Sequence, residues 1–298
     1  MKQIVVLSGK GGTGKTTVAA ALAHLASRES GVVLADADVD AANLELLLSP
    51  RQIEAHEFMG GKLAVIDGQS CTGCGECRRV CRFEAVLPDG EVFRIDPISC
   101  EGCAACFHRC AAQAVRLEDQ VAGRWFVSET RFGPLVHAHL FAAQENSGKL
   151  VTQVKRRAIE IAREAGLDLV LVDGPPGIGC PVIAACSGAD LALLVSEPTA
   201  AGVHDLERIL ATTAHFRVPA MVAINKHDLN PVRTREIEAF CMDRGVPVVA
   251  HIPFDTVATE AMVRGQTVTE LADGRLSAEL DHLWEGVLTW MEDEKTCT

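Results

Sequence analysis

Eight cysteines in two identical spacings carry the most specific chemistry in this chain. Cys71, Cys74, Cys77 and Cys81 follow C-x2-C-x2-C-x3-C, and Cys100, Cys103, Cys106 and Cys110 repeat it 29 residues later. The likeness extends past the thiols. Ile66-Asp67 and Ile95-Asp96 precede the two runs, Gly73 and Gly102 stand inside them, and Ala85-Val86 and Ala114-Val115 end them. Three thiolates at this spacing can wrap a compact cubic iron–sulfur cluster, while the fourth projects away from it. Structural zinc more often uses ligand pairs separated by a longer stretch, so each run fits zinc poorly. Disulfides require an oxidising compartment, and nothing in the sequence points to export.

The duplicated run resembles the two-cluster ferredoxins of bacteria. In such ferredoxins the fourth cysteine of each run binds the cluster of the other run. The resemblance therefore implies two [4Fe–4S] clusters, one on Cys71, Cys74, Cys77 and Cys110, the other on Cys100, Cys103, Cys106 and Cys81. The bacterial run usually closes Cys-Pro, whereas Arg82 and Ala111 follow the last cysteines here. That proline shapes the chain and binds no iron. Cys186, Cys241 and Cys297 read as small apolar fillers or a tail thiol.

A second chemistry stands near the start. Gly9-Lys10-Gly11-Gly12-Thr13-Gly14-Lys15-Thr16 satisfies G-x4-G-K-[ST] between an apolar run and an Ala/Leu-rich segment, so strand, loop and helix are expected in that order. Glycines let backbone N–H groups curl around phosphate oxygens, and the helix N-terminus adds a favourable dipole. Gly9, Gly11, Gly12, Thr13, Gly14, Lys15, Thr16 and Thr17 are the expected phosphate site. Lys15 should reach the β- and γ-phosphates, and the Thr16 hydroxyl should hold Mg²⁺.

The extra Lys10 makes the loop resemble the deviant Walker A ATPases of the MinD/ParA type, which include Mrp-like carriers and the nitrogenase iron protein. The resemblance implies a nucleotide-sandwich homodimer in which Lys10 reaches the partner's phosphates as a charge donor. It also implies that Asp38, in Asp36-Ala37-Asp38, orients the attacking water. A carboxylate at a strand end can instead cap the next helix, the role expected of Asp40. Leu171 to Gly177 resembles the Walker B strand and second switch, with Asp173 holding a Mg²⁺-bound water. Asn225 matches the adenine-binding asparagine of the family, although Asn225-Lys226-His227-Asp228 also spells the guanine-reading N-K-x-D. Ile252-Pro253-Phe254-Asp255 resembles the loop over the base, so Pro253 and Asp255 join the site and ATP is the expected nucleotide. Cys180 falls at the offset from Asp173 where the iron protein carries a cluster ligand, making it a candidate interfacial metal ligand beside the bland reading of a buried filler.

The elements that must position these residues alternate. Strand-like runs at Gln3–Leu7, Val32–Asp36, Leu169–Asp173, Leu191–Ser196, Met221–Asn225 and Val246–Ile252 are separated by helical stretches at Lys15–Ser27, Ala41–Leu48, Lys149–Ala165, Val203–Phe216 and Thr234–Arg244. Such alternation implies βαβ units and a mostly parallel sheet covered on both faces. From about Met59 to Leu117 the pattern stops. The expected organisation is a discontinuous α/β P-loop domain, 1–58 and 119–298, interrupted by an α+β ferredoxin insert over 59–118.

Composition excludes several classes. A net charge of −12 argues against nucleic-acid binding. No apolar stretch is long enough for a bilayer, and Ile4–Leu7 is too short for a signal-peptide core, so a cytoplasmic location is expected. The chain resembles MinD-like ATPases with an inserted ferredoxin unit, also through Glu145 to Leu150 and Ser128 to Arg131. Two functions compete. ATP turnover could gate electron transfer to a redox partner protein, or the chain could be a cofactor-assembly carrier of the Mrp type. The complete eight-cysteine framework, with no C-x2-C near the C-terminus, favours the first. A MinD-like membrane role is disfavoured, because acidic residues surround the Leu276, Leu280, Leu283, Val287 and Met291 stripe and anionic lipid repels them.

Overall fold

Strand β1 (Lys2–Ser8) buries Ile4 to Leu7 completely, as a central parallel strand covered on both faces must. The chain is described by a computed structural model over residues 1–296, apart from Ser30, Ala143, Glu145 and Ala272. Cys297 and the side chain of Glu294 also lie outside the described residues. After β1 come α1 (Lys15–Ser27), β2 (Val33–Asp36) and the short α2 (Leu44–Leu48). A long strand β3 (Arg51–Ile66) then leads to α3 (Glu76–Val80), the strands β4 (Val86–Asp89) and β5 (Val92–Ile95), and α4 (Ala105–Arg109). Strands β6 (Val115–Thr130) and β7 (Gly133–Leu140) return the chain to helix α5 (Ser147–Ala165).

Regular alternation follows: β8 (Leu169–Pro176), α6 (Cys180–Cys186), β9 (Leu191–Ser196), α7 (Gly202–His215) and β10 (Ala220–Asn225). A 3₁₀ turn leads into α8 (Pro231–Asp243), β11 (Val248–Ile252), α9 (Val257–Val263), α10 (Val268–Leu271) and α11 (Arg275–Thr296). The large sheet has the order β11-β10-β9-β1-β8-β2-β7-β6-β3. From β11 through β7 every pairing is parallel, giving the mostly parallel α/β architecture expected from the alternation. Only two residues join β6 to β7, a link that an antiparallel pair allows and a parallel pair does not.

The chain divides into two compact units. The first comprises Met1–Ala55, Trp125–His139 and Ser147–Thr298, and the second His56–Arg124 with Leu140–Asn146. The second unit is wider than 59–118, because β3 and β6 continue through the composition change that marked the boundary.

Two features of the first unit bear on function. Leu276, Leu280, Leu283, Trp284 and Val287 of α11 are buried, and Met291 packs at the margin of the same core. The apolar stripe of this helix is therefore spent on the domain. No helix among the described residues is long and apolar enough to cross a membrane. Lys155 of α5 is buried, and its Nζ donates to the carbonyls of Ala184, Ala185 and Ser187 at 3.3, 2.5 and 2.7 Å, capping the C-terminus of α6. Lys155→Ala strands these acceptors and opens a cavity, so we expect a loss of about 2–4 kcal/mol. A urea midpoint equal to that of the unaltered chain would contradict this capping role.

Candidate nucleotide site and cysteine quartets

The phosphate loop joins β1 to α1 through left-handed backbone at Gly12 (φ 81°) and Gly14 (φ 90°). A Cβ at Gly14 would lie 2.2 Å from Asn225 Nδ2, so another residue there would be strained at this φ and would push that amide off Thr13 O. Gly14 is also the N-cap of α1 and offers no side-chain acceptor, so the first-turn amides remain available to an anion. A cavity of about 780 Å³ opens beside this turn. Gly11 to Thr17, Asp38, Asn225, Pro253 and Asp255 line it, whereas Gly9, Lys10, Asp173 and Cys180 do not.

Electrostatics concentrate at the base of the loop. Lys15 Nζ lies 2.6 Å from Asp173 Oδ1 and 3.8 Å from Asp38 Oδ2, with both Lys15 and Asp173 buried. Burial alone would lower the Lys15 pKa, but Asp173, Asp38 and Asp36 outweigh it and hold the ammonium charged. Asp173 Oδ2 is buried without a hydrogen-bond partner. Burial pushes Asp38 up to about 6, with Asp173 adding and Lys15 opposing. Asp38 and Asp173 thus face one ammonium, an arrangement that a cation entering with a polyphosphate would balance.

Asp36 was not singled out by sequence, yet it organises this corner. Its Oδ1 accepts from Asp38 N and its Oδ2 from Leu44 N, both at 3.1 Å. Asp40 therefore does not cap α2; Asp36 does so from eight residues upstream. Full burial and the charge of Asp173 push Asp36 up to about 8. The helix is also shorter than the expected Ala41–Leu48, because the segment before Asn43 is a turn closed by Ala41 N donating to Asp38 O at 3.0 Å.

Lys10 is held within its own chain. Its Nζ pairs with Glu197 Oε1 at 2.6 Å and donates to Thr199 Oγ1 at 3.1 Å. Glu197 also pairs with Lys226 at 3.1 Å, and Lys226 Nζ donates to Gly12 O at 3.2 Å. Asn225 is engaged at both ends, Nδ2 donating to Thr13 O at 2.7 Å and Oδ1 accepting from Lys226 N at 2.9 Å. Asn225 and Lys226 therefore brace the phosphate loop from the base side. Asp228 Oδ1 accepts from Phe254 N at 2.8 Å, and Phe254 stands half-exposed on the cavity rim. Glu197 and the apolar lining of Leu46 and Met262 lay outside the sequence motifs.

The second unit brings the eight cysteines together in two sets. One small cavity is lined by Cys71, Cys74, Cys77 and Cys110, the other by Cys81, Cys100, Cys103 and Cys106. The crossing follows from how the copies interleave. Asp67, ahead of the first run, donates its N–H to Ala114 O at the end of the second at 2.8 Å. Asp96, ahead of the second, donates to Ala85 O at the end of the first at 2.7 Å. Each aspartate also accepts from a serine three residues on, Ser70 or Ser99, at 2.6 Å. Gly73 and Gly102 have positive φ, and a Cβ on either would strike a backbone carbonyl, Glu91 O at 2.3 Å or Lys62 O at 2.0 Å. The repeated glycine is therefore structural. Cys110 Sγ accepts from Ala114 N at 3.3 Å. Cys180 is exposed at the first residue of α6.

A glycine loop between a buried strand and a helix, with its lysine against strand-end carboxylates of a mostly parallel sheet, defines a P-loop nucleotide-binding α/β protein. Residues 4–268 match the CobQ/CobB/MinD/ParA nucleotide binding domain, and the chain belongs to that family. It is 36% identical over 230 residues to the uncharacterised protein MJ0578 of Methanocaldococcus jannaschii, spanning 77% of this chain and 80% of that protein. The septum site-determining protein MinD of Pyrococcus horikoshii, solved with Mg-ADP, has a TM-score of 0.61 at 18% identity, over 96% of this chain and 95% of that one. The MinC:MinD cell division complex of Aquifex aeolicus gives 0.59 at 19% identity, over 97% of this chain and 96% of that chain. At these identities the structural likeness establishes the fold.

Proposed function

We propose that this protein binds and hydrolyses ATP with Mg²⁺, carries two [4Fe–4S] clusters in an inserted ferredoxin unit, and couples nucleotide state to electron transfer toward a partner protein. The observation that carries this reading is that one chain holds both a phosphate cavity backed by Lys15, Asp38 and Asp173 and two crossed cysteine quartets.

In this reading the amides of Gly11 to Thr16 bind the phosphates. Lys15 leaves Asp173 to meet the β- and γ-phosphate oxygens, and Asp38 orients the attacking water. Mg²⁺ would supply the positive charge that Asp173 then lacks, with Thr16 as its ligand and Asp173 holding one of its waters. Phe254 and the Pro253–Asp255 loop cover the base. Asp228 already accepts an amide through Oδ1, which reduces its capacity to read guanine and supports ATP.

The quartets suit iron–sulfur clusters, because all-thiolate sets at this spacing with crossed closure are the pattern of two-cluster ferredoxins. A [4Fe–4S] cluster in each would supply a one-electron carrier. Electron transfer is favoured over cluster delivery, since every ligand is internal to the unit and Cys77 and Cys106 are buried. A delivery protein needs ligands it can release.

Lys10 remains the proposed donor to the partner's phosphates in a homodimer. When Lys10 leaves Glu197, that carboxylate keeps Lys226 as a partner at 3.1 Å. Lys10→Ala is expected to leave ATP affinity within about threefold while reducing hydrolysis about tenfold or more and removing ATP-dependent dimerisation. Turnover and sedimentation identical to the unaltered chain would eliminate the role in trans.

A further inference from the structure

Away from both sites, Glu45, His137 and His139 place three ligand atoms within 4.8 Å of one another. The two histidines are two residues apart on β7 and so share one face of that strand. Glu45 comes from α2, and its Oε2 lies 3.1 Å from His137 Nδ1 and 3.5 Å from His139 Nε2. A tetrahedral ion with ligand bonds of about 2.0–2.1 Å sets its ligand atoms about 3.4 Å apart, which these two distances bracket.

His137 is held so that one ring nitrogen faces the cluster and the other faces away from it. The residue is 5% exposed, and its Nδ1 faces Glu45 Oε2 at 3.1 Å without the alignment of a regular hydrogen bond. Its other nitrogen, Nε2, lies 2.9 Å from Ser128 Oγ. Metal-bound histidines are held this way: the outer nitrogen is fixed by a hydrogen bond, which turns the lone pair of the inner one toward the ion. Phe126 packs on both rings, at 5.1 and 5.7 Å between centroids, and fixes their orientation.

We infer that Glu45, His137 and His139 bind one divalent cation of the zinc class. Two imidazoles and a carboxylate favour Zn²⁺, Co²⁺ or Ni²⁺ over Mg²⁺, and three protein ligands leave one position for water. The consequence is mechanical. Glu45 sits between Leu44 and Leu46 on α2, and Leu46 and Leu47 line the nucleotide cavity. A cation here pins α2, and with it one wall of that cavity, to β7.

The test is equilibrium dialysis of the full chain against Co²⁺ with Mg²⁺ in excess, followed by metal analysis and visible absorption. His139→Ala and Glu45→Gln are compared with the unaltered protein. His139 is 43% exposed and Glu45→Gln is isosteric, so both variants should fold, which circular dichroism checks. The expected result is one cobalt fewer in each variant, with loss of d–d bands that carry no sulfur-to-cobalt charge transfer. Comparing variants removes any contribution from the cysteines, which both retain. Equal cobalt in all three proteins, or a difference explained by thiolate-bound cobalt, overturns the inference.

Discussion

Lys15→Ala is expected to weaken MgATP binding at least about 100-fold and to abolish hydrolysis. Losing a charge-assisted contact to phosphate costs about 3 kcal/mol, and each 1.4 kcal/mol is tenfold in affinity. The geometry adds a second effect. Lys15 is the ammonium 2.6 Å from buried Asp173 and 3.8 Å from Asp38, so its removal leaves both carboxylates uncompensated. Breaking such a buried pair costs about 3–5 kcal/mol, so the nucleotide-free variant should also melt earlier. The double variant Lys15→Ala/Asp173→Asn should recover much of that stability while remaining unable to bind nucleotide. Calorimetric titration and thermal melting separate the two effects. A Lys15→Ala protein binding MgATP within threefold of the unaltered chain would contradict the site assignment.

Cys74→Ser should halve the iron content, from about eight irons and eight acid-labile sulfides per anaerobically prepared chain to about four of each. Cys74 is exposed, so the substitution tests ligation with little disturbance of packing. Crossed ligation gives a sharper form of the test. Cys74 and Cys110 line one cavity, and Cys81 lines the other with Cys100, Cys103 and Cys106. Cys74→Ser/Cys110→Ser should therefore still hold about four irons, whereas Cys74→Ser/Cys81→Ser should hold almost none. The opposite ranking would mean that each run closes its own cluster. Zinc without labile sulfide in the unaltered protein would remove the clusters altogether.

Much of this was readable in the sequence because local motifs carry it. The phosphate loop lies within one strand–turn–helix, and the two cysteine runs repeat with their flanking residues. What escaped depends on long-range pairing. Strands β3 and β6 run 16 residues each, but β3 carries Gly60-Gly61 and many exposed positions, which hide the alternation of a strand. Asp36 caps α2 from a strand end, so Asp40 looked like the local candidate. Glu197 meets Lys10 only because β9 lies beside β1. Glu45 and the two histidines of β7 are far apart in the chain, and no spacing rule could join them.

Coupling between the phosphate site and the proposed clusters requires that nucleotide state change how the reduced clusters behave. The most direct measurement is an anaerobic redox titration of the full chain followed by EPR, in nucleotide-free, MgADP and MgATP samples. MgATP is expected to move the midpoint of at least one cluster by about 60 mV or more, roughly tenfold for a one-electron couple, or to change its line shape. Lys15→Ala should show no such response. Midpoints and line shapes identical in all three nucleotide states would mean that the phosphate site and the cysteine unit share a chain without sharing a function.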